Sequence, residues 1–484
     1  MEAKEITLRI DDKEVRANEG ATILEVAKKV GVNIPTLCYA SALSPFGACR
    51  LCSVEITDKR GRKRIVTSCN YPVEEGLVVS TKSEKVLKTR KVLLELLLAR
   101  CPKAKKIQDL AREYGVQEPQ FWIEDAEEDC ILCGLCARVC DELVGVYAIN
   151  FANRGVKREV TAPYHKFSDD CIGCGACATL CPTKSKKIRV NTYPTLQEDA
   201  EKIEQQFLKG TIDENLGIHN DIFAAKSSID GQDGGVATTL LISGMQKGMF
   251  DAAIVVQRTD GYNSEAVVAE NVNEIMKARG TKYLSIKMMS KLGELIRKGK
   301  RKVAIVGTAC EVRAARKIQQ ILLQDFPDLE LTIIGLFCFE AFDYEKLKEE
   351  TRRLLGVDLD RSEKTQIHKG KYIVKVDGKE YSCNVRELGK AVENGCVFCD
   401  DFTAKLADVS VGSVGSDDGY STVIVRSDVG KKLLDKLDLV RGGINKEEIT
   451  KLAILKKNRA KKSFAPLLQD VQVQPIPPLA QQKC

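Results

Sequence analysis

Polar and apolar residues alternate from the start of the chain. EITLRI (residues 5–10) has the two-residue period of a strand, DDK turns it, and ATILEVAKKVG carries apolar residues at helical spacing before a glycine stop. The strand-like runs LCSVEIT, KRIVTSC and GLVVST follow. Residues 1–83 therefore predict a small sheet with one helix packed across it. The period then lengthens. SEKVLKTRKVLLELLLAR reads as a long amphipathic helix with a serine cap, broken at Pro102 and resumed as far as Gly115. Residues 84–125 are thus a helical spacer.

A cysteine-dominated stretch (126–192) and a connector (193–220) come next. From 221 to 464 helices and strands alternate: GGVATTLLISGMQKG before AAIVVQ, KVAIVG before CEVRAARKIQQILLQ, LTIIGLF before YEKLKEETRRLLG. That order predicts an α/β domain with some parallel pairing. KGKYIVKVDGKEYSCNV interrupts it with a hairpin turning at Asp-Gly. STVIVRS and GKKLLDKLDLV close the domain, and the Pro- and Gln-rich residues 465–484 read as an extended or mobile tail. The fold class is multidomain, α/β and α+β.

Composition narrows the function. Net charge is +7, from 75 bases and 68 acids, and 6% of residues are aromatic, which does not argue for nucleic acid. The first residues lack a signal-peptide pattern, and the longest apolar runs, LLELLLA and LTIIGLFCF, fall short of the ~20 residues of a membrane helix. The expectation is a cytoplasmic protein with no direct membrane insertion. Nineteen cysteines against three histidines is the outlying figure. In a chain without an export signal, clustered thiols read as metal ligands rather than disulfides.

Two stretches carry the same spacing, C-x2-C-x2-C-x3-C: DCILCGLCARVC at 129–140 and CIGCGACATLCP at 171–182. Three cysteines this close wrap one loop around one cluster, and glycines such as Gly134, Gly173 and Gly175 let backbone N–H groups approach the sulfurs. In two-cluster ferredoxins the fourth cysteine of each run ligates the other cluster. The expected sets are Cys130, Cys133, Cys136 and Cys181 for one 4Fe–4S cluster, and Cys171, Cys174, Cys177 and Cys140 for the other. Zinc is the alternative, but it takes separated C-x2-C knuckles.

The N-terminal set, Cys38, Cys49, Cys52 and Cys69, has spacing C-x10-C-x2-C-x16-C, which by itself leaves 2Fe–2S and zinc open. PTLCYASALSPFGACRLCSVEI with VTSCNYPVEEGLVVST resembles the 2Fe–2S domain of the large electron-input subunit of respiratory complex I and of iron-only hydrogenases, over residues 1–190. The resemblance implies a β-grasp 2Fe–2S ferredoxin-like domain followed by a bacterial-ferredoxin-like domain with two 4Fe–4S clusters. The spacer has only Cys101 and no histidine, so the cluster held by one histidine and three cysteines in those relatives is expected to be missing.

A third set is dispersed: Cys310 and Cys338 follow strands, and Cys396 and Cys399 form a knuckle, with Cys383 near enough in sequence to substitute for one of them. Such loops can converge on one four-cysteine site, a cluster or zinc. IDGQDGGVATTLL (229–241) is a glycine-rich loop entering a helix, suited to an anion but lacking the Rossmann fingerprint. SSIDGQDGGVATTLL, GTKYLSIK, VAIVGTACEVRAARK, IGLFCF and GCVFCDDFTAKLADVSVGSVGSDDGYSTVIVRSDVG together resemble the flavoprotein beta subunits of coenzyme F-420-reducing hydrogenase and formate dehydrogenase, over 221–435. The resemblance implies an α/β flavin-binding domain with FAD, a third 4Fe–4S cluster beside it, and coenzyme F-420 as substrate. Position by position, it places FAD against Gly231, Gln232, Asp233, Gly234, Gly235, Lys282, Tyr283, Gly307, Thr308, Gly412, Ser413 and Gly415. GTACE departs from the usual G-T-P-C-Q, and SDDGYST has aspartates where proline is common.

The expected activity is hydride exchange between FAD and F-420, with electrons passing through one 2Fe–2S and three 4Fe–4S clusters to another oxidoreductase subunit. Formylmethanofuran dehydrogenase, formate dehydrogenase, hydrogenase and heterodisulfide reductase are candidate partners in a methanogen-like archaeal metabolism. No side chain is assigned as catalytic, because the flavin carries the hydride chemistry. The alternatives are a dehydrogenase module using NAD(P)H or another acceptor, and a non-enzymatic iron–sulfur relay. Two basic runs, RKGKRK (297–302) and KKNRAKK (456–462), read mainly as solvated charge and secondarily as contacts for the anionic F-420 tail.

Overall fold

Residues 5–165, 168, 170–171, 175–185, 197–229, 231–323 and 326–471 are described by the structure, a computed structural model. The N-terminal sheet has five strands in the order Lys13–Asn18, Glu5–Ile10, Val78–Ser80, Ser53–Thr57, Lys63–Thr67. Glu5–Ile10 pairs in parallel with Val78–Ser80, and the other pairs are antiparallel. The helix Ile23–Lys29 starts at a capping box between Thr22 and Glu25. Its Ile23, Leu24, Val26 and Ala27 share a core with Ile6, Leu8, Ile10, Val54, Ile56 and Val79. The strand Lys13–Asn18 carries too little apolar alternation to be read from sequence, since Val15 alone is buried.

The helix Glu84–Arg100 begins where Ser83 accepts a hydrogen bond from Val86 N. Leu94 and Leu98 enter a core that continues through Ile107, Leu135 and Val139 into Ile305, Val312 and Ile333 of the C-terminal half. The cysteine-rich region is therefore packed onto the α/β domain rather than tethered to it.

That domain holds an eight-stranded sheet in the order Ser264–Ala269, Ala252–Arg258, Lys302–Thr308, Glu330–Leu336, Val409–Gly412, Ser421–Val425, Asp221–Lys226, Val440–Gly442. Ala252–Arg258, Lys302–Thr308, Glu330–Leu336 and Val409–Gly412 run parallel. Ser421–Val425 runs against both Val409–Gly412 and Asp221–Lys226, so Asp221–Lys226 points the same way as the parallel set. Helices cover both faces. Val236, Leu240 and Leu433 pack on one side, Leu292, Val312 and Ala315 on the other. A separate antiparallel sheet, Ser362–His368, Lys371–Val376 and Lys379–Asn384, turns at Asp377-Gly378 as expected.

Arg426 ties the segment before the first strand to this core. It is fully buried and donates to Leu216 O (2.7 Å), Ile218 O (2.9 Å), Thr403 O (3.2 Å), Thr403 Oγ1 (3.1 Å) and Ser410 Oγ (2.8 Å). Burial pulls its pKa down to about 10, opposed by Asp401, Glu204 and Asp213. Arg426→Leu orphans several acceptors at about 1–3 kcal/mol each, so a loss of about 3 kcal/mol or more is expected. An unchanged urea midpoint would refute it.

Two connecting segments gain detail. Within 193–220, Gln197–Phe207 is a helix. The tail does not begin at 465: one helix runs from Lys446 to Val471, holding the KKNRAKK run inside it. The remainder of the tail, 472–484, lies outside the described residues. No helix among the described residues is long and apolar enough to cross a membrane.

Candidate functional site

The cysteines gather where the two halves meet. In the first short run Gly134 takes φ +74° and starts the helical turn Leu135–Arg138; in the second, Gly175 takes φ +76° ahead of Ala176–Leu180. Both need the left-handed conformation that glycine adopts without strain. A Cβ on Gly134 would also stand 3.0 Å from the Phe46 ring. The first turn passes into a looser π-turn, Val139–Val144, a form frequent at functional sites.

Cys130, Cys133, Cys136 and Cys181 line one small, partly open cavity, with Ile131, Gly134, Val160, Thr183 and Ser185. Three of these sulfurs come from one run and the last from the other. Among the described residues no group of three or more His, Cys, Asp or Glu is arranged to hold a single metal ion. The donor set, four thiols in an apolar wall, suits an iron–sulfur cluster. Burial holds the Cys133 and Cys136 thiols well above their ordinary range, so they ionise only when a metal supplies positive charge. In the companion set, Cys140 Sγ accepts from Ala148 N at 3.3 Å, and Cys171 and Cys177 are buried. Cys174 and Gly173 lie outside the described residues.

The N-terminal set closes pairwise. The Cys49 thiol donates toward Cys38, lowering Cys38 to about 6, and the Cys69 thiol donates toward Cys52, lowering Cys52 to about 7. Cys49 N also donates to Cys38 Sγ at 3.4 Å. Arg138 fastens the ferredoxin-like region here, donating to Cys38 O at 2.6 Å and to Ser44 O. Glu142 accepts from Ser44 N at 2.6 Å.

The third set also converges. Cys310 is within electrostatic reach of Cys396 and Cys399, and Cys338 of Cys310 and Cys399. Burial pushes Cys310, Cys338 and Cys396 each up to about 12. Cys383 sits apart, opposite Tyr372 on the small sheet, with Glu387 and Arg353 for neighbours. Cys101 is buried at the end of the helix Glu84–Arg100, near Glu128 and Cys130.

Electrostatic contact also orders the sets. Cys38 reaches Cys133, and Cys136 reaches Cys177. The π-turn holding Cys140 packs against the turn Asn394–Phe398 that holds Cys396. Contacts thus run from the N-terminal set to the first run, between the two runs, and from the segment of Cys140 to the third set.

The register sets the glycine loops at the carboxyl edge of the large sheet. The strands ending at Lys226, Thr308, Leu336 and Gly412 deliver, in turn, the loop Gly231–Gly235, Cys310, Cys338 and Ser413. Ligands of open α/β sheets lie outside this edge. Gly234 N donates to Ser421 Oγ (3.1 Å) and Gly234 O accepts from Ser227 N (2.8 Å). The small sheet bends over the loop, where Gln232 donates to Thr365 O (3.0 Å) and Tyr283 Oη accepts from Ile367 N (2.9 Å). Burial raises the Asp233 carboxyl, with Lys364 and His368 opposing. Lys282 donates to Ala278 O and Arg279 O, and burial lowers it to about 8. Thr308 Oγ1 lies 3.2 Å from Cys310 Sγ.

The expected FAD contacts therefore fall into groups. The loop Gly231–Gly235 and Tyr283 have the small sheet as neighbour, and Lys282 precedes Tyr283 in the chain. Gly307 and Thr308 adjoin the third cysteine set. Gly412 and Gly415 have packing reasons of their own, the Phe337 ring at 2.2 Å from a Cβ on Gly412, and Ile449 at 2.6 Å from one on Gly415. Sequence reasoning missed Tyr262, which bridges Thr365 and Tyr283 N. It also missed Glu311, a buried carboxyl with Oε2 unpartnered, pushed up to about 7 by burial. The basic runs have other occupations: Lys300 pairs with Glu270 (3.1 Å), and Lys456 is buried.

Family models match in four blocks: a 2Fe–2S iron–sulfur cluster binding domain at 3–84, a 4Fe–4S dicluster domain at 129–185, and the N-terminal (222–293) and C-terminal (300–459) parts of the coenzyme F-420 hydrogenase/dehydrogenase beta subunit. Similar proteins include the coenzyme F-420-dependent sulfite reductase of Methanocaldococcus jannaschii, 38% identical over 260 residues, 51% of this chain and 41% of that protein. The coenzyme F-420 hydrogenase subunit beta of Methanothermobacter thermautotrophicus is 32% identical over 270 residues, 52% of this chain and 95% of that subunit. A chain of the F-420-reducing NiFe hydrogenase complex from Methanosarcina barkeri superimposes with a TM-score of 0.50 at 32% identity, covering 53% of this chain and 94% of its own length. The chain spans less than half of the sulfite reductase and nearly all of the hydrogenase subunit. With separate 2Fe–2S and 4Fe–4S domains ahead of that shared region, the chain belongs to the coenzyme F-420 hydrogenase/dehydrogenase beta subunit family.

Proposed function

We propose that the chain exchanges hydride between FAD and coenzyme F-420 and relays single electrons between that flavin and a partner oxidoreductase. The observation that carries this reading is the chain of contacts between the cysteine sets, from the third, beside the glycine loops, to the N-terminal one. FAD, when bound, supplies the conversion between two-electron hydride transfer and one-electron steps. The chain's own part is to hold and orient. Gly231–Gly235 present backbone at a helix start, Gln232 and Tyr283 brace the small sheet over it, and Thr308 adjoins the nearest cluster ligand. Cys310, Cys338, Cys396 and Cys399 would hold that 4Fe–4S cluster. Cys171, Cys174, Cys177 and Cys140 would hold the next, then Cys130, Cys133, Cys136 and Cys181, and finally Cys38, Cys49, Cys52 and Cys69 a 2Fe–2S cluster. Hydrogenase and formate dehydrogenase subunits are the partner class this family suggests.

Anaerobic mixing of holoprotein with reduced F-420 and a one-electron dye tests the reading. Dye reduction dependent on F-420 is expected; none from flavin- and iron-replete protein would eliminate it. Cys396→Ala is expected to stop dye reduction while flavin stays bound. Loss of flavin together with that cluster would show that the two sites are not separable.

A further inference from the structure

We propose that Lys456 is a buried counter-cation that sets the reduction potential of the third cluster, an inference that rests on reading Cys310, Cys338, Cys396 and Cys399 as a cluster site. The C-terminal helix buries Ile449, Ala453, Lys456 and Ala460. Their steps of four, three and four put them on one face. Three are apolar and the fourth is a lysine, at 1% exposure. Fully buried lysines are almost always paired.

Among the described residues, no carboxylate forms an ion pair with Lys456, unlike its cationic neighbours. Arg313 is matched by Asp400 and Arg459 by Glu340, each at 2.7 Å. The nearby Asp401 carboxylate accepts from Thr403 N (3.1 Å) and Lys405 N (2.9 Å). Lys456 Nζ instead donates to Cys338 O at 2.5 Å.

The anionic groups within reach of this cation are the sulfurs of Cys399 and Cys338 and, less strongly, the Asp401 carboxylate. An all-thiolate cluster is an anion, and each electron it accepts adds one negative charge without a proton or a bond change. A fixed positive charge in a low-dielectric wall stabilises the reduced form more than the oxidised form. The same helix packs on Asn394–Phe398 and on Ala176–Leu180. The cation thus enters on an element that touches both this set and the next.

The test is a redox titration of anaerobic holoprotein, followed by the electron paramagnetic resonance signal of the third cluster. At the wild-type midpoint, Lys456→Met is expected to lower the reduced-to-oxidised ratio about tenfold, equivalent to about 59 mV for one electron. Lys456→Arg should stay within about twofold of wild type. Lys457→Met is the control, since Lys457 pairs with Glu214 at 2.9 Å, and no shift is expected there. An unshifted Met variant that keeps its iron overturns the proposal, as do equal shifts in the Met and Arg variants. Loss of this cluster in the Met variant alone overturns it, because the charge is then needed to retain the cluster rather than to set its potential. Loss in both variants assigns Lys456 to packing and overturns it. Wild-type protein lacking this signal overturns the underlying site reading, a result visible before any variant is compared.

Discussion

Cys181→Ala is expected to remove the cluster of Cys130, Cys133 and Cys136, although Cys181 lies in the other run. The cavity shared by these four residues is the reason. Iron content should fall by one 4Fe–4S cluster, and electron delivery toward the N-terminal domain should drop to background. Pairing variants decides which cluster Cys181 serves. Substitutions acting on one cluster do not add, whereas independent sites do. Cys130→Ala with Cys181→Ala should lose no more iron than either alone, and Cys171→Ala with Cys181→Ala should lose two clusters. The reverse pattern would mean that each run ligates its own cluster.

Gly235→Ala is expected to empty the flavin site while leaving iron in place. Gly235 has φ +69°, and a Cβ there would stand 2.0 Å from Ile229 O and 2.8 Å from Ser227 Oγ. The left-handed conformation costs a non-glycine residue about 1–2 kcal/mol, and the overlap about 1–3 kcal/mol more. If most of that reaches the loop, FAD retention weakens about 100-fold. The flavin-to-protein ratio after desalting measures it. Gly248→Ala is the comparison, since Gly248 has a similar φ of +67° with nothing within 4 Å of its Cβ. Full flavin occupancy in Gly235→Ala would remove this loop from the binding site.

Much of the site was legible because its chemistry is written locally. Four cysteines in twelve residues need no tertiary information, and three parallel strands, Ala252–Arg258, Lys302–Thr308 and Glu330–Leu336, announced themselves as apolar runs. What escaped reading depends on tertiary context. Lys13–Asn18 pairs as a strand through its backbone while exposing most of its side chains. Lys456 was counted with a basic run, although helical spacing from Ile449 and Ala453 was the available signal for its burial. The Pro- and Gln-rich composition after residue 464 suggested an extended tail, but Ile449, Ala453 and Ala460 seat a helix that continues to Val471. The small sheet over Gly231–Gly235 was visible only as a hairpin, because its role depends on where Thr365 and Ile367 meet Gln232 and Tyr283.

The shared lining of that cavity bears on biogenesis. Its last thiol, Cys181, leaves the ribosome long after Cys130. A nascent chain paused between them can offer three sulfurs but cannot complete a four-thiol cradle. If the four hold one cluster, insertion of inorganic sulfide and iron waits until both runs have emerged and folded against each other. By the same logic, oxidative destruction of one cube would loosen a strand of protein that also anchors its neighbour, so damage would spread in pairs.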